Sequence, residues 1–311
     1  MIKIPYPNQQ VLDNYFDDVK DELLERIQKI KAGKKVTRKK KTYKVTKPIM
    51  SILNYLDNEN NLKKMILAKP NNLIRMIQFT EKKFKKARYS KEALNNILFS
   101  IFIDYGYKKI DKLEFIDNIN LGSCPYCNRN YIFTVNKKGS VKPEIDHFYP
   151  TSKYPYLAVC FFNLIPSCPT CNGFGAKEAK DTFYAYPITN PYELKEDDFK
   201  FSISPESIEF FNVKNKKYDF GSFEIEVYGN NANLEVFKLE ELYKQHKDIV
   251  LELLIKKAYY PDSYVQELKG FDFSEDEIYR YLFSNYKEEK DLHKRPLSKL
   301  IKDISQELEL I

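Results

Sequence analysis

Cys124-Pro-Tyr-Cys127, Glu144-Ile-Asp146-His147 and Phe162-Asn163-Leu-Ile-Pro-Ser-Cys168-Pro-Thr-Cys171-Asn172 follow one another in the middle of the chain. Four of the five cysteines fall in two pairs of identical spacing, with 40 residues between them. A disulfide framework is disfavoured in a large chain without a secretion signal, because the cytosol keeps thiols reduced. A structural metal site is the better reading: each Cys-x-x-Cys knuckle turns two thiolates toward a common point, and Zn2+, a d10 ion, accepts four without geometric preference. The candidate ligands are Cys124, Cys127, Cys168 and Cys171. The separation exceeds the ~15 to 20 residues of a ribbon-type site, so the metal staples the ends of a small subdomain. A redox role is the rival and lacks a thioredoxin-like pattern. Cys160, in Val159-Cys160-Phe161-Phe162, reads as a small core residue.

Outward from this segment the texture divides the chain into 1–118, 119–186 and 187–311. Tyr131 to Val135 and Val141 to Ile145, separated by a Gly-containing loop, predict a hairpin. Upstream, apolar residues recur at three- and four-residue steps over Val11 to Ile30, Ile49 to Leu56, Leu62 to Leu67, Leu73 to Phe84 and Ala93 to Ile103, which predicts an all-helical region. It is interrupted by Lys31 to Lys47, with nine basic residues and no acid. That stretch reads as a solvated loop, a composition that would also suit phosphate contact. A second basic cluster from Lys82 to Arg88 reads as a solvated helix face. Downstream, strands are expected at Phe199 to Ile203, Ile208 to Val213 and Phe223 to Tyr228. Helices follow at Leu234 to Ala258, Ser274 to Tyr286 and Pro296 to Leu310, the last with Pro at its first position. The fold class is α+β, predominantly helical.

Composition narrows the function classes. The 311 residues are 43% apolar and 31% charged, with 51 Lys plus Arg against 44 Asp plus Glu, a net charge of +7. That excess permits a nucleic-acid partner without demanding one. The longest mostly apolar run, Ile97 to Ile103, is far short of the ~20 residues of a membrane span. The N-terminal residues have no apolar h-region, and a cytoplasmic location is expected.

The ordered set Cys-x-x-Cys, Asp-His, Asn-Leu and Cys-x-x-Cys-Asn resembles the zinc-stapled HNH endonucleases, built on the ββα-metal (His-Me) finger, over about residues 121–186. The resemblance implies a central ββα finger held by the four-cysteine zinc site. It also implies that Asp146 and Asn172 hold one catalytic Mg2+ or Mn2+, that His147 is the general base, and that Asn163 braces the loop carrying His147. The third signature position is often His; Asn172 makes this an H-N-N variant. The chemistry is coherent on its own terms. Phosphodiester hydrolysis needs a base near neutral pKa and a hard cation with oxygen ligands to neutralise the leaving oxygen. Lys177, placed on the helix after Asn172, reads as a phosphate contact or a solvated lysine, as do Arg129 and Lys153. His246 reads as a half-buried helix histidine and His293 as a surface one.

Asp181-Thr-Phe, Tyr186-Pro-Ile-Thr-Asn190-Pro191-Tyr and the helix from Leu239 to Lys247 are similar to the tail of bacterial HNH proteins in anti-phage defence, such as the HNH subunit of Septu and its retron-linked relatives. That likeness implies an ABC- or SMC-like ATPase as partner. The long Lys-bearing N-terminal region departs from a minimal Septu subunit and would serve as a docking surface or a DNA-contacting appendage. The expected function is a metal-dependent endonuclease acting on DNA. The alternatives are an RNA-cleaving HNH nuclease and a non-catalytic zinc-stabilised nucleic-acid-binding or adaptor module.

Overall fold

In the computed structural model, residues 1–86, 91–135, 142–173, 175–205, 223–259 and 262–310 are described. The chain starts with α1 (Gln9–Lys31), whose apolar stripe Leu12, Phe16, Val19, Leu23 and Ile27 is buried. Asn8 caps it by accepting from the Val11 amide at 3.0 Å, and Lys29 and Lys31 suit the negative end of the helix dipole. The Lys-rich stretch is then a correction. Instead of a loop it forms an antiparallel hairpin, β1 (Val36–Arg38) and β2 (Lys41–Tyr43). The alternation of the chain there buries Val36 and Tyr43. Three of its nine cations have partners: Arg38 lies 3.4 Å over the Phe99 ring, Lys41 pairs with Glu92 at 2.9 Å and Lys31 with Asp57 at 2.6 Å.

Four helices follow, α2 (Lys47–Leu56), α3 (Glu59–Ile66), α4 (Pro70–Lys86) and α5 (Lys91–Phe99). The last continues through a widened π-type turn, Ser100–Asp104. α6 (Lys112–Ile119) is capped at its start by Asp111, which accepts from Leu113 and Glu114, and ends at Asn120 in the left-handed region.

In the central segment β3 (Glu144–His147) pairs antiparallel with β4 (Leu164–Ser167); the turn of the expected hairpin and the start of its second strand fall outside the described residues. Tyr131 forms only an isolated bridge, to Ser123, and residues 136–141 lie outside the described ones. All four residues of β4 are buried, and such a strand pairs where its backbone is covered. After β4 comes a single helical turn, α7 (Pro169–Asn172).

β5 (Phe199–Pro205) and β6 (Phe223–Gly229) form a third two-stranded sheet; the strand expected at Ile208 to Val213 falls outside the described residues. The expected long helix from Leu234 is broken at Lys238, which adopts a left-handed φ of 49°, into α8 (Asn231–Phe237) and α9 (Leu239–Tyr243). A 3-10 turn then leads to α10 (Lys247–Tyr259). Next are α11 (Asp262–Gly270), α12 (Glu275–Phe283), with a capping box between Ser274 and Glu277, and α13 (Ser298–Glu307). α13 begins two residues beyond Pro296 rather than at it.

The chain is thus mixed α and β, mostly helical with small antiparallel sheets. One cluster of buried apolar side chains runs from Ile4 and Phe16 through Phe102 and Phe161 to Phe201, Tyr243 and Ile304. No described helix is long and apolar enough to cross a membrane.

Candidate metal centre and the Asp-His pair

The first knuckle ends in Asn128, whose left-handed φ of 51° folds the chain back on itself. This side chain is fully buried and joins three parts of the molecule. Its amide donates to Ser123 Oγ at 2.9 Å and to the Arg295 carbonyl at 3.1 Å, while its oxygen accepts from the Ser298 hydroxyl and the Lys299 amide, each at 3.0 Å. Tyr243 donates its hydroxyl to the Cys127 carbonyl at 2.5 Å, and the Ile2 amide donates to the Pro125 carbonyl at 3.0 Å. The knuckle is therefore clamped from both ends of the chain.

Cys124, Cys127, Cys168 and Cys171 are all buried, and their sulfurs lie within 4.8 Å of one another. Cys127 and Cys168 are separated by 3.9 Å, close to the ~3.8 Å edge of a tetrahedron with 2.3 Å Zn–S bonds. Donors surround the sulfurs: the Arg129 amide points at Cys127, the Cys168 amide at Cys124, and the Asn130 side chain at Cys168, at 3.3 to 3.4 Å. Such bonds favour thiolates, the form that binds metal. Hydrogen bonds from Cys124, Cys127 and Cys171 hold the Cys168 thiol well below its ordinary value. Four buried, unbridged cysteines so arranged can hold a metal such as zinc. Cys160 stands apart, buried in the core with its thiol on the Met65 carbonyl at 3.1 Å.

β3 carries the acidic and imidazole groups. Adjacent strand residues face opposite sides, so Asp146 and His147 diverge while Glu144 and Asp146 share a face. Asp146 is 3% exposed, and both its oxygens are engaged. Tyr126 donates to Oδ2 at 2.6 Å, and Lys177 Nζ donates to Oδ1 at 2.8 Å. Lys177 also reaches the His147 carbonyl at 2.7 Å. This corrects the expectation for Lys177: α7 ends at Asn172, and Lys177 lies beyond it, wholly buried, as the counter-ion of Asp146.

On the other face, His147 Nε2 donates to the Ala158 carbonyl at 3.0 Å. A carbonyl can only accept, so Nε2 carries the proton and Nδ1 is the basic nitrogen. The ring meets Tyr107 edge-on at 4.5 Å. Burial lowers the His147 pKa to about 4, against the opposing pull of the Asp146 carboxylate and the Ala158 bond. Burial, with the nearby Asp146 charge, pushes Tyr107 up to about 12. The loop that presents Ala158 is tied down by Asn163. Its oxygen accepts from the Tyr149 amide at 2.8 Å, and its nitrogen donates to the Tyr149 and Leu157 carbonyls at 3.2 and 3.0 Å.

The Asn172 side chain donates its amide nitrogen to Glu144 Oε2 at 2.8 Å. Lys177 supplies positive charge to Asp146, and among the described residues the four cysteines are the group of His, Cys, Asp or Glu side chains placed closely enough to hold a metal. Arg129 points its Nε at His246 Nε2, 2.9 Å away, and Lys153 pairs with Asp181. His246 is half-buried in a 3-10 turn; His293 is half-buried too, not at the surface as expected, because residues 289–294 coil against the knuckle. Sequence reasoning missed Tyr126, Lys177, Glu144, Tyr107 and Ala158 as partners. Only Tyr126, inside the first knuckle, carried a local hint.

The lowered His147 pKa has a consequence for stability. The unfolded chain binds a proton at His147 near pH 6.5 and the folded one only near 4, so stability is complete above about 6.5 and falls as pH drops toward 4. The expected loss over that window is about 3 kcal/mol. Urea unfolding of the native chain and of His147→Gln at pH 7 and pH 5 measures it: the native chain should lose more than the variant.

No family model and no solved structure matches this chain. It is similar to Septu protein PtuB of Bacillus thuringiensis, 35% identical over 85 residues, which make up 27% of this chain. The matched part spans 28% of that protein's length, so the chain is a weak homologue over little more than a quarter of each sequence.

Proposed function

We propose that this chain is a metal-dependent HNH endonuclease that hydrolyses phosphodiester bonds of DNA in a bacterial anti-phage defence system. The distant similarity to a Septu protein supports the defence role. The observation that supports the nuclease reading is geometric: Asp146 and His147 are neighbours on β3, and the imidazole is fixed through Nε2 by the Ala158 carbonyl, which leaves Nδ1 as its proton acceptor. In this reading His147 takes the proton of the attacking water, and Asn163 keeps its loop in register. A divalent cation held by Asp146 and Asn172 would neutralise charge on the leaving oxygen. Lys177 holds Asp146 in place, and an ABC- or SMC-like ATPase is the expected partner.

Supercoiled plasmid with Mg2+ or Mn2+ tests it, first with the chain alone and then with an ABC- or SMC-like ATPase subunit of a Septu system added. His147→Ala should reduce cleavage by about 10²- to 10⁴-fold while leaving bound zinc unchanged. Cleavage that survives the substitution rejects His147 as the base.

A further inference from the structure

Away from the Asp-His pair, α2, α3, α4 and α5 enclose a cavity of about 450 Å³. That lies within the range of small-molecule sites. Its floor is apolar, made by Leu56, Met65, Met76 and Leu98. The two methionines are adaptable filling, able to shape themselves to a guest. At its mouth stand Lys64 and Arg75, both exposed. Among the described residues neither is engaged in an ion pair, unlike the neighbouring Lys63, which pairs with Asp13 at 2.8 Å. Among the described residues no acidic side chain lines the cavity. An apolar floor beneath two uncompensated cations selects one kind of guest and rejects cationic ones.

One wall connects this cavity to His147. Tyr156 lines it from the 3-10 turn Pro155–Leu157, and Ala158, which follows that turn two residues after Tyr156, offers the carbonyl that accepts the hydrogen bond of His147. Met65, on the floor, offers its carbonyl to the Cys160 thiol at 3.1 Å, which ties α3 to the same loop. A guest touching Tyr156 and Met65 therefore presses on both anchors of the segment that orients the imidazole.

We propose that this cavity binds a small amphipathic anion, an aromatic or aliphatic body bearing one carboxylate, phosphate or sulfonate, and that occupancy is transmitted through residues 155–160 to His147. The binding part stands independently of the nuclease reading; the consequence for catalysis rests on it.

The test uses two dyes that differ by one charged group, 8-anilinonaphthalene-1-sulfonate and the neutral N-phenyl-1-naphthylamine, titrated into the full chain. The sulfonate should saturate at one per chain and bind about tenfold tighter than its neutral analogue, the worth of one charge-assisted contact. Lys64→Glu and Arg75→Glu, both exposed positions, should remove that preference without changing affinity for the neutral dye. Met76→Phe should weaken both dyes by filling the floor, with unfolding midpoint and zinc content confirming that each variant is folded. Equal affinity for the two dyes, or indifference to charge reversal, overturns the anion assignment; no saturable binding overturns the site. The coupling is read by imidazole NMR, which is simple in a chain with three histidines. Saturating sulfonate should shift the resonances of His147 and leave those of His246 and His293 in place, and an unmoved His147 overturns the coupling. Neither readout requires DNA hydrolysis, so a chain that binds the dye yet never cuts plasmid rejects the nuclease reading alone.

Discussion

Removing the metal from the four-cysteine site, by a strong chelator or by Cys168→Ser, should unfold the chain. Structural zinc in a tetrathiolate site contributes about 10 to 16 kcal/mol of folding free energy in small zinc domains, as much as a whole domain's net stability of about 5 to 15 kcal/mol. The site also sits where that loss spreads furthest. The knuckle holds Ile2 through Pro125, Tyr243 through the Cys127 carbonyl, and the C-terminal helix α13 through Asn128. Without the ion, four thiols remain packed together in a buried site with nothing to hold them. The purified chain should carry one zinc per molecule, and its circular dichroism and thermal transition should collapse on chelation and return with one equivalent of Zn2+. A transition that persists unchanged after complete metal removal would show that packing alone closes this segment.

The second large effect is expected at Lys177. Its ammonium and the Asp146 carboxylate are 0% and 3% exposed, so each is the other's main compensation for leaving water. Burying an ion pair gives little net stability, but deleting one partner strands the other charge, at a cost of about 3 to 5 kcal/mol. Lys177→Met should therefore lower the urea midpoint sharply. Adding Asp146→Asn should recover part of the loss, because the amide oxygen still accepts from Tyr126 while no lone charge remains. Simple additivity of the two substitutions would mean that the pair is not formed in solution.

The helices of the N-terminal region were legible because an amphipathic stripe is a local, periodic signal: α1 occupies Gln9–Lys31 where the apolar spacing ran from Val11 to Ile30. β5 and β6 were legible for the same reason, by alternation. The hairpin β1–β2 was not, since its high charge masks the two residues, Val36 and Tyr43, that it buries. The pairing of β3 with the wholly buried β4 was not legible, because the two strands lie far apart in sequence and only burial brings them together. Around the candidate site, Asp146, His147, Asn163 and Asn172 were conspicuous by order and type. Their contacts were not, as Lys177 looks in sequence like any lysine near a helix.

What this sequence determined by itself is the pair of Cys-x-x-Cys turns and the helical frame, because such a turn and a 3.6-residue repeat are written in a few neighbouring residues. The tertiary structure alone decided that Asp146 and His147 face opposite sides of β3, that Lys177 neutralises the carboxylate, and that Ala158 fixes the imidazole. Those outcomes depend on long-range strand pairing and on desolvation, which no local stretch of residues encodes.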